Sequence, residues 1–153
     1  MAGGGAEVDR GPAMIRSLLI VLALSLPATA GIYVIDGDTI VVGREHIRIV
    51  GIDAPETRQA RCDAELRLGL EAKARVLFLL QRACGPLAKA DAGRCLTIQR
   101  QPAPDRYGRT LARIGVGGRD LGATLVAEGL ARPYICPRGR CPARKPWCEV
   151  PAP

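Results

Sequence analysis

Residues 31–56 read GIYVIDGDTIVVGREHIRIVGIDAPE. Two short β-branched runs, Gly31 to Val34 and Thr39 to Val42, flank Asp36-Gly37-Asp38. A turn at Gly43-Arg44-Glu45 then leads into His46 to Ile52, which alternates apolar and polar at its start. The pattern predicts a three-strand antiparallel meander. Asp53 to Arg61 carries Pro55 and reads as loop. With the second and third strands paired about Gly43–Glu45, Asp38 and Asp53 lie together at the open end of the hairpin. Asp36, Asp38, Asp53 and Glu56 fall within 21 residues, at strand ends or in the loop. Converging carboxylates repel unless a cation neutralises them, and hard oxygen ligands choose calcium or magnesium. The plain alternative is a polar turn at Asp36-Gly37-Asp38 and a cap at Asp53. Alternation sets Arg48 facing out, opposite to Ile47 and Ile49. A carboxylate-held metal flanked by guanidinium groups suits phosphodiester cleavage. The metal polarises a phosphoryl oxygen, arginines meet the charge of the five-coordinate transition state, and a carboxylate takes a proton from water.

Beyond this stretch, Ala64 to Ala83 reads as a helix with Asp63 as N-cap and Glu65 in its first turn. Leu66, Leu70, Leu77 and Leu80 recur at helical spacing, and Gly85-Pro86 ends the run. Thr97 to Arg100 and Thr110 to Gly115 read as two further strands, with a turn at Gly117-Gly118. Asp120 caps a short helix, Leu121 to Glu128, that stops at Gly129. Three strands, helix, two strands, helix is an α+β, mainly β order that suits a five-stranded oligonucleotide/oligosaccharide-binding (OB-fold) barrel. Patterning alone leaves that among several small folds. Past Arg132 the chain has no period and much proline.

The 153 residues suit one domain with a targeting segment and a tail. Arg16, the apolar run Ser17 to Leu26 and Ala28-Thr29-Ala30 form the pattern of a signal peptide cleaved after Ala30. The apolar run is short of the roughly 20 residues that span a membrane. The expected division is 1–30 signal peptide, 31–135 domain and 136–153 Cys/Pro-rich basic tail. The cleaved protein keeps the whole net charge of +7, which attracts polyanions without choosing among them. Six cysteines behind a signal peptide point to disulfides and an oxidising compartment, periplasmic or extracellular. Zinc at Cys136-x4-Cys141 is disfavoured by the single histidine, His46. Sequence leaves the pairing open; the guess adopted is Cys136–Cys141, Cys84–Cys95 and Cys62–Cys148. Only five aromatics occur, so grip on nucleic acid is expected to come from phosphate contacts, with strong salt dependence and little base specificity.

Four stretches resemble, in order and spacing, the successive motifs of staphylococcal nuclease-like (thermonuclease) proteins. They are Val34-Ile35-Asp36-Gly37-Asp38-Thr39, Arg48 with Ile52-Asp53-Ala54-Pro55-Glu56, Asp105-Arg106-Tyr107-Gly108-Arg109, and Glu128-Gly129-Leu130-Ala131-Arg132. The resemblance spans about residues 32 to 134. It implies an OB-fold nuclease cleaving DNA and RNA with calcium and leaving 3′-phosphates. Asp38, Asp53 and the backbone carbonyl of Ala54 match the family's calcium ligands. Glu56 matches its general base or water-positioning acid, and Arg48 and Arg109 its phosphate-binding arginines. Asp36, Thr39, Arg106, Tyr107 and Tyr134 fall at supporting or substrate-binding positions. Two features depart from the founding member. Only Tyr134 remains of a tyrosine pair, and a Cys/Pro-rich tail replaces the long C-terminal helix. A monomer is expected. The rival readings are a non-catalytic OB-fold that grips nucleic acid, and an envelope protein that binds polyanions through its basic tail.

Overall fold

The computed structural model describes residues 1, 3, 4 and 31–148. The expected signal peptide lies outside the described residues. The order is β1 (Ile32–Asp36), β2 (Thr39–Val42), β3 (Glu45–Ile49), β4 (Gly51–Asp53), α1 (Asp63–Cys84), α2 (Ala92–Cys95), β5 (Leu96–Arg100), β6 (Thr110–Val116), β7 (Arg119–Asp120), α3 (Leu121–Ala127) and β8 (Arg132–Tyr134). The β1–β2–β3 meander expected from the opening stretch forms, with Thr39 opposite Arg48 and Val42 opposite Glu45. β3 then pairs in parallel with β6, and β5 flanks β6 on the other side. The main sheet is therefore mixed, in the order β1-β2-β3-β6-β5, with β7 returning along β6 through the Gly117-Gly118 turn. Among the described residues no pairing joins β1 to β5, so the sheet is an open path; the expected five-stranded barrel is not closed here.

The predicted strand His46 to Ile52 breaks in two. Gly51 has φ +81°, a left-handed conformation that glycine adopts without strain, and the chain leaves the main sheet there. β4 pairs instead with β8, setting Asp53 opposite Arg132. Residues 132–134, read from sequence as the start of an irregular tail, thus form a strand.

The helix α1 forms as expected and stops at Gly85, but two details differ. Its N-cap is Cys62, whose sulfur accepts from the Glu65 N–H, while the Glu65 carboxylate accepts from the Arg61 N–H at 2.7 Å. Asp63 is the first helical residue. The buried stripe is Gly69, Ala72, Val76 and Leu80, whereas Leu66 and Leu70 face outward. Small residues occupy the inner stripe because backbone comes very close there. A Cβ on Gly69 would stand 2.7 Å from the Glu56 carbonyl oxygen, and one on Gly37 2.8 Å from Ala72 Cβ. The core also holds Ile40, Ile47, Ile49, Ile114, Leu121 and Leu125 between the sheet, α1 and α3. At α3, Asp120 accepts from Ala123 N at 2.7 Å as the expected N-cap, and Gly129 follows the C-cap with positive φ.

All six cysteines pair as Cys62–Cys148, Cys84–Cys95 and Cys136–Cys141, the pairing guessed from sequence. Among the described residues no helix is long and apolar enough to cross a membrane.

Candidate active site

The break at Gly51 brings the carboxylates together. Asp38 begins the β2 side of the hairpin, Arg48 sits across the ladder in β3, and Asp53 ends β4. Arg48 lies between the two acids. One guanidinium nitrogen is ion-paired with Asp38, and the other lies 3.7 Å from Asp53 Oδ1 and donates to the Ile52 carbonyl at 3.2 Å. Arg48 lies on the face opposite Ile47 and Ile49 as alternation set it, yet it is only 6% exposed, packed on Asp38, Asp53 and the Ile52 carbonyl. Asp38 and Asp53 are buried as well.

The oxygens of Asp38 are fully engaged. Oδ1 accepts from the Thr39 hydroxyl at 3.0 Å and Oδ2 from the Ala54 N–H at 2.9 Å. Thr39 thus orients Asp38. Asp36 accepts from the N–H and hydroxyl of Thr57, which staples the Asp53–Arg61 loop to the β1–β2 turn. Glu56 lies in that loop, its backbone resting on α1 at Gly69. Burial, then the nearby charges of Asp38 and Asp36, push the Glu56 carboxyl above the ordinary glutamate range, against Arg144 and Arg48. Burial likewise raises Asp53; Asp38 adds to the rise, while Arg144, Trp147 and Arg48 oppose it.

Asp53 has an unusual balance of partners. Its Oδ2 accepts from the Trp147 indole N–H at 3.2 Å. Its Oδ1 is buried with no hydrogen bond, although Arg144 Nε stands 3.3 Å away. Two guanidiniums offer charge there without an aligned N–H, so one buried carboxylate oxygen is left orphaned. Oxygen donors with one unmet acceptor fit a hard cation. No group of three or more acidic, histidine or cysteine side chains with metal-binding geometry occurs among the described residues, so such an ion would draw on Asp38, Asp53 and backbone oxygen such as the Ala54 carbonyl.

Arg109 is not drawn into this cluster. Its Nε donates to Asp105 Oδ2 at 2.8 Å, and Asp105 Oδ1 accepts from the N–H groups of Tyr107 and Arg109, each at 2.9 Å. Burial pulls the Asp105 carboxyl upward, but these hydrogen bonds outweigh it and hold the group low. Tyr107 is exposed, with the guanidiniums of Arg106 and Arg109 at 4.8 and 5.4 Å from its ring. Arg109, Tyr107, Arg44, His46 and Thr110 line a cleft of about 480 Å³ beside the β2–β3 turn. Tyr134 is committed to the tail, its hydroxyl donating to the Pro142 carbonyl at 2.8 Å.

Sequence reasoning missed four residues that shape the site: Thr57, Gly69, Arg144 and Trp147. A glycine inside a strong helical run and a lone tryptophan in a polar tail were the available signals. Trp147 is buried under Arg132, whose guanidinium lies 3.7 Å from the ring, and so is not free to stack a base.

A sequence model of the family described as Staphylococcal nuclease homologue matches residues 46–145. A thermonuclease of Staphylococcus intermedius is 32% identical over 108 residues, which cover 68% of this chain and 58% of that protein. A thermonuclease of Staphylococcus hyicus is 32% identical over 111 residues, covering 66% and 56%. The chain thus spans somewhat under three fifths of the length of these relatives. Matched over most of its length, the chain belongs to the family of staphylococcal nuclease homologues.

Proposed function

We propose that the protein is a calcium-dependent phosphodiesterase that cleaves DNA and RNA with little base preference and leaves 3′-phosphates. The observation that carries the reading is Arg48 held between Asp38 and Asp53, with an orphaned Asp53 oxygen and Glu56 alongside. The relatives named above are thermonucleases, which supports the same activity here. Calcium held by Asp38, Asp53 and the Ala54 carbonyl would supply Lewis-acid polarisation of a phosphoryl oxygen. Glu56, with its raised proton affinity, accepts the proton of an attacking water. Arg48 turns its charge to a phosphate once the charges of Asp38 and Asp53 are met by a cation. Arg109, held on Asp105 outside the carboxylate cluster, supplies a second guanidinium for the substrate's phosphates at the neighbouring cleft. Tyr107 and Arg106 flank the incoming strand at the cleft. The open mixed sheet is read as a partly open OB-type barrel, with the substrate carried along the cleft lined by Arg44 and Arg109. The three disulfides support an exported protein, periplasmic or extracellular, and we expect a monomer.

Purified protein, oxidised and freed of residues 1–30, should degrade single-stranded DNA with calcium and stop on chelation. Arg48→Ala and Glu56→Gln should each lower the rate by at least about 10²-fold, the scale of a lost charge-stabilising or proton-accepting group. Activity that survives chelation sinks the metal reading, and full activity in either variant sinks the residue assignment.

A further inference from the structure

Residues of the C-terminal tail reach into the carboxylate cluster and take part in it. Arg144 bridges the two acids that the proposed function separates into ligand and base: Nε lies 3.3 Å from Asp53 Oδ1, and a terminal nitrogen lies 3.4 Å from Glu56 Oε1. The bridge is held from below. Trp147 donates to the other oxygen of Asp53, Arg132 packs on the Trp147 ring and donates to the Pro146 carbonyl at 3.1 Å, and Cys148 is bonded to Cys62 at the start of α1. The tail is thus a strap fixed at 148, with its guanidinium resting beside the buried Asp53 oxygen that lacks a hydrogen bond.

The two arginines at Asp53 differ in their freedom. The Arg48 side chain is 7% exposed, anchored in a strand and bound to Asp38 and the Ile52 carbonyl, so moving it would disrupt the hairpin. The Arg144 side chain is 39% exposed, and the Glu56 side chain it meets is 37% exposed on the same open side. A half-exposed guanidinium on a proline-rich segment can swing to water at little cost, because ion pairs open to solvent contribute little. It also satisfies Asp53 incompletely, offering charge without an aligned hydrogen bond.

We propose that Arg144 is a built-in, displaceable counter-ion for Asp53 and Glu56, so that the tail sets how tightly the carboxylate site takes a divalent cation. The inference rests on the cation reading of that site. With the cation absent, Arg144 neutralises the acids and keeps the loop 53–57 in place. When a cation arrives, Arg144 is expelled toward solvent, where its charge is available to a phosphate. The divalent cation affinity of the protein is therefore lower than the carboxylates alone would give.

The test is calorimetric titration of the oxidised protein with calcium chloride alone, comparing wild type with Arg144→Ala, Arg144→Gln and Arg144→Lys. The emission of Trp147, the protein's only tryptophan, serves as an independent readout of Asp53. Arg144→Ala and Arg144→Gln should bind calcium about fivefold tighter, since a half-exposed ion pair no longer has to be broken. Arg144→Lys, which keeps the charge, should stay within about threefold of wild type. The Gln variant retains the aliphatic stem, so it carries the comparison if Ala impairs folding. Equal or weaker binding by both neutral variants overturns the counter-ion role while leaving the cation site standing. Absence of calcium binding by all four proteins overturns both.

Discussion

Gly69 is the position where α1 touches the loop that carries Glu56, and its replacement by alanine separates two opposing effects. In an exposed helix the change would stabilise by about 1 kcal/mol, because glycine is the poorest helix former after proline. Here the new Cβ would stand 2.7 Å from the Glu56 carbonyl oxygen and 3.0 Å from the Pro55 carbonyl oxygen, where ordinary contact begins at 3.4 Å. Both neighbours are backbone, so neither can rotate away. The loop carrying Glu56 must move off the helix by about 0.7 Å, the difference between those distances. Overpacking of this kind costs about 1–3 kcal/mol, which exceeds the propensity gain. A net loss of about 1 kcal/mol and a fall in Tm of about 5 °C are expected. The effect on catalysis should be larger than the effect on stability, because a displacement near 1 Å costs on the order of 10²-fold in rate. Thermal unfolding by circular dichroism gives the first quantity, and initial rates on single-stranded DNA give the second. A Gly69→Ala protein that melts higher than wild type and cuts at the wild-type rate would refute the claim that the helix positions Glu56.

Two further outcomes follow from the acids and the strap. Burial and the Asp38 and Asp36 charges raise the folded-state proton affinity of Glu56 above its usual value of 4.5. Just above that pH the folded state holds more protons than the unfolded one, so stability falls as pH rises toward the raised value. Glu56→Gln should flatten that slope and melt higher than wild type near neutral pH, in urea titrations run with chelator from about pH 4 to pH 8; an unchanged slope contradicts it. The Cys62–Cys148 bridge closes a loop across 86 positions, for which chain entropy predicts about 4.6 kcal/mol. The double variant Cys62→Ser and Cys148→Ser, which keeps a hydroxyl at the helix N-cap, should lose most of that. Its Trp147 emission should shift red before global unfolding, and a single coincident transition at the wild-type midpoint would count against the strap.

What could be read in the sequence was local. Gly85-Pro86, Asp120 with Gly129, and Gly117-Gly118 each act through their own backbone neighbours, so cap and turn chemistry located them. The Asp36–Glu56 cluster was visible because its members lie within one hairpin and its following loop. The leucine spacing marks the helix but not its buried side, because the inner stripe of Gly69, Ala72, Val76 and Leu80 is set by the approach of Glu56 and Gly37. Period-two alternation puts Arg48 on the face away from Ile47 and Ile49 but does not register that Asp38 and Asp53 bury it there. The contacts of Arg144 and Trp147 with Asp53 join residues 91 and 94 positions apart, a separation that no local pattern carries.

The placement of Cys62 and Cys84 at the two ends of α1 bears on how the chain oxidises. At 1.5 Å per residue the helix holds them about 33 Å apart, so once α1 forms these sequence neighbours cannot join. The helix thereby acts as a ruler that removes one wrong partner. Cys84 is left to find Cys95 eleven positions on, and Cys136 to find Cys141 five positions on, each by short-range closure. Cys62 pairs with Cys148 across 86 positions, the costliest of the three closures in chain entropy, and that bond ties the segment carrying Arg144 and Trp147 beside the carboxylates. Completion of the site is thereby coupled to completion of the covalent framework.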